Sequence, residues 1–359
     1  MVLLDLAHCV LHTVTKSIDP MSRGLCVFMA IPVSISVYEH AARLIDRRPW
    51  DVSRDRDSLL AAHCAAYQVY HHFPVVIGID IYNLEAEAYG CVVREPPGNG
   101  IPAITEPRFA TLDEAITVQP FDPDRDGRLP MIVEVAARLQ REFPEADVRV
   151  PVSGPFSIAQ NLLGLSELIM AAALEPENVR RFLHGLIPGQ LAYCQAARRA
   201  GVKVAFFESA AAPPLLSPKQ FREIELPPLK EVMTGVSKIM GQPVPCILGG
   251  DTHKIVPELL ETGTRFLICP AETDRLAFLG KTAANPEVTV RVNLNPVLYV
   301  GGSREAIARE IEAVAELAAR SPNSILLGTG ALPYEMPSEN VLFIIEYAAG
   351  CACGIEKES

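Results

Sequence analysis

The sequence predicts an α/β protein of the (β/α)8 TIM-barrel class. Three observations carry that expectation: eight short apolar runs, helical segments alternating with them, and hydrophobicity that is almost continuous within each run. Strand alternating with helix implies parallel pairing, because each crossover must return the chain to the same end of the sheet. Continuous apolar strands imply cover on both faces, which a barrel ringed by helices supplies. A doubly wound open sheet is the alternative. With 359 residues, 49% of them hydrophobic, the chain can bury the core of one such domain, expected over 1–359.

The eight runs are residues 26–31, 75–79, 148–152, 203–207, 245–248, 266–269, 289–293 and 324–327. Helical spacing occupies 54–70, 165–174, 188–200, 254–260 and 304–319 between them. The interval after the second run is too long for one crossover, and it holds the turn-forming Pro96-Pro97-Gly98-Asn99-Gly100. An insertion is expected there, with a helix capped at Thr111 and loops folded over one mouth of the barrel.

A formal charge of -11 without any Lys/Arg run argues against nucleic acid as a partner. Residues 1–12 read as an ordinary helix rather than a signal peptide, and no stretch reaches the roughly 18 apolar residues of a spanning helix. A soluble, cytoplasmic protein is expected. Nine scattered cysteines do not form a disulfide framework, and Cys351 and Cys353 lack the spacing of a zinc or redox pair.

Parallel barrels place their chemistry at the C-terminal ends of the strands. The polar residues expected there are Asp80, Ser153, Glu208, Cys246, Asp251, Asn293, Asn295 and Thr329. Asp80 and Asp251 could equally cap helices, and Ser153 could be a turn residue. Glu208 stands out, because a carboxylate directly after Val204-Ala-Phe-Phe207 leaves a buried strand and needs a partner. His71 and His72 are expected at a helix C-terminus, and His253 is read as a loop histidine.

At these positions the sequence resembles the uroporphyrinogen decarboxylase superfamily. The resemblance lies in Gly78-Ile-Asp80 with the run to Gly90, in Ser153-Gly-Pro155-Phe-Ser157, and in Phe207-Glu208-Ser209 with Leu216-Ser-Pro218-Lys-Gln-Phe221. It continues in Leu327-Gly-Thr-Gly330-Ala-Leu-Pro333 and Pro337-Ser-Glu339-Asn340-Val341. In order and spacing these matches run from about Val27 to Tyr347. The uroporphyrinogen decarboxylases carry an arginine-rich N-terminal loop and a histidine in the closing glycine loop. Residues 29–36 hold no arginine, and Thr329 occupies the histidine position. A highly anionic porphyrinogen would meet an acidic protein, so the resemblance points to the corrinoid-dependent methyltransferases of the methylcobalamin:coenzyme M type.

That resemblance implies transfer of a methyl group between a small-molecule donor or thiol acceptor and a corrinoid. Methylcobalamin would arrive on a small corrinoid-binding protein; a homodimer is left open. It implies Asp80, Glu208 and Asn293 as catalytic residues, and Tyr82, Ser153, Asn161 and Thr329 as substrate contacts. Of the histidine and cysteine at strand five and the closing-loop cysteine that hold zinc in the thiol-methylating members, at most Cys246 survives here, and Thr329 stands in the closing loop. Zinc accepts mixed oxygen, sulfur and nitrogen ligands, so Glu208 and Cys246 with Asp251 or His253 form an expected substitute set. Cys246 could instead be a buried small hydrophobe. The alternatives are a decarboxylase-like lyase acting on a smaller substrate, and a non-catalytic barrel that binds a tetrapyrrole or a partner.

Overall fold

The computed structural model describes residues 30–350. The expected helix at 1–12, the Cys351 and Cys353 pair, and most of the run 26–31 lie outside them. Eight parallel strands are present: β1 (Val33–Ser36), β2 (Val75–Val76), β3 (Val148–Ser153), β4 (Lys203–Phe207), β5 (Cys246–Ile247), β6 (Phe266–Cys269), β7 (Thr289–Asn293) and β8 (Ile325–Ala331). Hydrogen bonds join them as two four-stranded sheets, ordered β1-β8-β7-β6 and β2-β3-β4-β5. Among the described residues no ladder joins β5 to β6 or β1 to β2. The expected closed barrel is thus seen as two parallel sheets.

The first described strand lies past the expected run. Residues 30–32 are irregular and β1 is Val-Ser-Ile-Ser, whose alternation differs from the continuous run that was sought. Ile35 joins the main core, while Ser36 lines the interior cavity described below. The same period of two operates elsewhere. In β3 and β4, Val148, Val150, Val152, Val204 and Phe206 pack into the helix-facing core; Ala205 and Phe207 belong to a smaller inner cluster with Tyr38, Val76 and Ile81.

Helix bounds also shift where local chemistry dictates. The helix expected at 54–70 starts at Arg56, where the Asp55 carboxylate caps it by accepting from Ser58 N at 2.8 Å, and a separate short helix, Pro49–Arg54, precedes it. It ends at His71, which adopts a left-handed φ of 44°. The helix expected to start at Pro188 begins at Pro176 and carries Pro188 inside it. A proline fits either place, and sequence reading assigned it to the first turn.

The insertion holds an antiparallel hairpin of Val93–Arg94 with Ala103–Ile104, turned through Pro96–Gly100, and two helices, Leu112–Ala115 and Leu129–Glu142. Thr111 Oγ1 caps the first by accepting from Glu114 N at 3.3 Å. Ile101 and Pro102 of the hairpin reach the cavity wall. Among the described residues no single helix is long and apolar enough to cross a membrane.

Candidate active site

The C-terminal ends of the strands surround a cavity of about 440 Å³, within the range of small-molecule sites. Its walls come from both sheets and are mainly apolar: Phe207, Ile247, Ile268 and Leu294 among them. Tyr38 and Tyr82 each meet Phe207 edge-on, with centroids 6.3 and 6.2 Å apart. Tyr82 Oη and Ser209 Oγ share a hydrogen bond of 2.5 Å, and burial pushes the phenol well above its ordinary range.

Asp80 lines this cavity, but its carboxylate is already engaged. Arg128 donates to both oxygens at 2.7 Å, and Asn83 Nδ2 donates to Oδ2 at 2.9 Å. Arg128 also donates to Glu87 at 2.5 Å and to the Ser53 carbonyl, while Arg54 pairs with Glu87. The fork is bidentate, the geometry that fixes a carboxylate best. Asp80 is therefore a fixed, neutralised wall rather than a free base. Arg128 was missed in the sequence because it lies in the insertion, 48 residues downstream of Asp80.

Arg291 is the other side chain that sequence reading passed over. It sits mid-strand in β7, is 6% exposed, and lines the cavity. Its Nη1 donates to Ser36 Oγ at 3.1 Å, its Nε has no partner, and no carboxylate among the described residues pairs with it. Asn293, two residues on, also lines the cavity and leaves its Oδ1 unbonded. The neighbouring strand makes room for both. A Cβ at Gly328 would stand 2.5 Å from Arg291 Cγ and 2.6 Å from Asn293 Oδ1. Glu39, beyond β1, completes the polar wall, and burial raises its carboxyl to about 7.

Several expected site residues face away from the cavity. Glu208 follows Phe207 and points to the helix side, where Oε2 accepts from Phe156 N and Ser157 N at 3.1 and 3.3 Å and Oε1 from Ser157 Oγ at 2.7 Å. Gly154 permits that seat, since a Cβ there would lie 1.9 Å from Glu208 Oε2. The second carboxyl beside it is Glu225, on a π-helical turn at Phe221–Glu225. Burial and then the Glu208 charge hold it strongly toward its protonated form. Burial also raises Glu208 to about 7.

Ser153 is occupied by Glu85, which accepts from its N at 2.6 Å and its Oγ at 2.9 Å. Asn161 donates to the Tyr82 carbonyl at 2.8 Å and so supports the cavity wall from behind. Thr329 is fully buried and its Oγ1 accepts from Ser36 N at 3.3 Å. Of the four expected substrate contacts, only Tyr82 lines the cavity.

The expected zinc set does not assemble. Glu208 is committed to backbone and serine donors, while Asp251 and His253 bond each other at 2.5 Å. Burial first, and then the Glu208 carboxylate, drive the Cys246 thiol far up, disfavouring the thiolate that binds metal. Among the described residues no group of three or more His, Cys, Asp or Glu side chains is arranged to hold a metal ion. The described residues around the cavity do not fit a zinc centre.

The fold corresponds to a known class. The uroporphyrinogen decarboxylase (URO-D) family model matches residues 22–350, and the chain belongs to that family. Within it the chain is similar to uroporphyrinogen decarboxylase 2, chloroplastic, of Arabidopsis thaliana, with 26% identity over 69% of this chain and 62% of the relative. It is also similar to the methylcobamide:CoM methyltransferase MtaA of Methanosarcina barkeri, with 27% identity over 43% of this chain and 45% of the relative. The chain spans about half to two thirds of the length of the curated relatives it matches. A solved methyltransferase from Methanosarcina mazei superposes with a TM-score of 0.75 over 90% of this chain and 95% of its own, at 16% identity, which shows the shared fold.

Proposed function

We propose that the chain is a methyltransferase, moving a methyl group between a small molecule in the cavity and a corrinoid carried by a separate protein. The observation that carries this reading is the cavity's charge. Arg291 is the only cation among its described lining residues, beside Glu39, Glu272 and the neutralised Asp80. A porphyrinogen with many carboxylates needs many cations; a small apolar molecule does not. The MtaA relative acts, by its name, on a methylcobamide and CoM, which supports the same class.

The residues suit a methyl transfer in which the small molecule gains or loses a proton. The apolar walls exclude water, and Glu39, poised near neutrality, holds a proton at its carboxyl. A corrinoid would supply the cobalt that carries the methyl group. The cavity volume suits a small substrate alone, so the corrinoid would sit over the mouth. Leu276 and Val297, 72% and 73% exposed, come four residues and one residue after the cavity-lining Glu272 and Pro296, and a docking face for its carrier would include them.

Decarboxylation of a compact acid is the second reading. Arg291 and a protonated Glu39 in one cavity favour it, since one could hold a carboxylate and the other protonate a carbanion. Anaerobic incubation of the protein and cob(I)alamin with small isotopically labelled methyl ethers and thioethers separates the two readings. Labelled methylcobalamin is the expected product. Carbon dioxide release from small acids, with cobalamin unmethylated throughout, would replace the first reading with the second.

A further inference from the structure

We propose that Arg291, with Asn293 beside it, is the seat for a single anionic group on an otherwise apolar ligand, a compact monocarboxylate being the best fit. The proposal rests on reading the cavity as the substrate site and adds which end of the substrate is held, and by what.

A guanidinium inside a protein is stabilised by a carboxylate or by a full set of acceptors. Arg291 has neither. Its one hydrogen bond is to Ser36 Oγ, and its Nε is bare. The other buried arginine of the mouth, Arg128, shows the contrast, with two carboxylates and a carbonyl around it. Glu39 lines the same cavity but makes no ion pair with Arg291, and burial keeps it protonated up to about pH 7. An outside anion is what the site lacks.

The strand architecture treats Arg291 as a built feature. Its stem crosses Gly328 where any Cβ would collide, so a glycine on β8 clears the volume the side chain occupies. The same glycine clears Asn293 Oδ1, the second polar atom left without a partner. Around them the walls are Phe207, Ile247, Ile268 and Leu294, with Tyr38 and Tyr82 edge-on to Phe207. One cation within a mainly apolar and aromatic enclosure selects a ligand with one anionic group on an apolar body. A second anionic group on the ligand would find no second cation among the described lining residues.

Benzoate and benzamide, equal in shape and different in charge, probe this directly by titration calorimetry on the purified chain. Benzoate is expected to bind about tenfold or more tightly than benzamide, as a charge-assisted bond requires. In Arg291→Met the preference is expected to vanish, and thermal unfolding should show no loss of midpoint, because an unpaired buried charge has been replaced by an apolar side chain. Arg291→Lys, retaining the charge without the fork, should keep only part of the preference. Equal binding of the two probes, no binding of either, or a preference that survives in Arg291→Met would overturn the proposal. Methyl transfer to or from a neutral substrate alongside such a result would leave the functional reading standing and remove only the anion seat.

Discussion

Arg128 and Arg291 show two uses of a buried arginine in one mouth. Arg128 closes a network, and its removal would leave the buried Asp80 carboxylate without a cation while Glu87 kept only Arg54. Arg128→Met is expected to cost roughly 3–5 kcal/mol of stability by urea denaturation, the range for stranding a buried partner. Glu39 offers a pH readout. Its folded value, raised by burial to about 7, lies above an unfolded value near 4.5, so the native state binds the extra proton between them. Stability from this group is full below about 4.5 and is lost as pH rises through about 7. Glu39→Gln should therefore flatten the decline of stability from pH 5 to pH 8 relative to the unaltered chain. An unchanged slope would place Glu39 in contact with water or a cation. The sequence made Glu208 legible by the rule that a charge leaving a buried strand needs a partner. The same rule, applied inside Thr289–Asn293, points to Arg291, but attention to strand ends bypassed it.

At the scale of elements, seven of the eight strands were readable from apolar runs, and β1 was not, because Val-Ser-Ile-Ser alternates. With no strand expected at Val33–Ser36, Ser36 and Glu39 were not legible as residues of the cavity wall. The glycine-rich closing segment was legible as a motif but not as geometry. Gly328 and Gly154 are glycines by necessity of close approach, one to Arg291 and Asn293, the other to Glu208. Gly328→Ala should fold, with Arg291 pushed from its place, and should lose benzoate selectivity while the far-UV circular dichroism is retained. Retained selectivity would mean that β8 gives way without moving Arg291. Helix Pro176–Arg199 was half-read for a simpler reason: a proline inside a helix looks like its beginning.

For the whole molecule, the resemblance carried in ordered short motifs fixed the family, while the choice among its reactions depends on side chains brought together by folding. Glu208 and Cys246 looked like ligands in sequence because they lie on neighbouring strands, one just past the end of β4 and the other in β5. Strand alternation then turned them to the helix side, away from the cavity. The cavity left behind holds one unpaired cation among its described lining residues. Uroporphyrinogen should accordingly yield no coproporphyrinogen at enzymatic turnover in an anaerobic assay. The most direct test of the account is the visible spectrum of cobalamin during anaerobic turnover with small monocarboxylates that carry a methyl ether or a thiol. The account predicts protein-dependent interconversion of cob(I)alamin and methylcobalamin that is lost in Arg291→Met; a spectrum unchanged in both directions, with carbon dioxide released from the same acids, would contradict it.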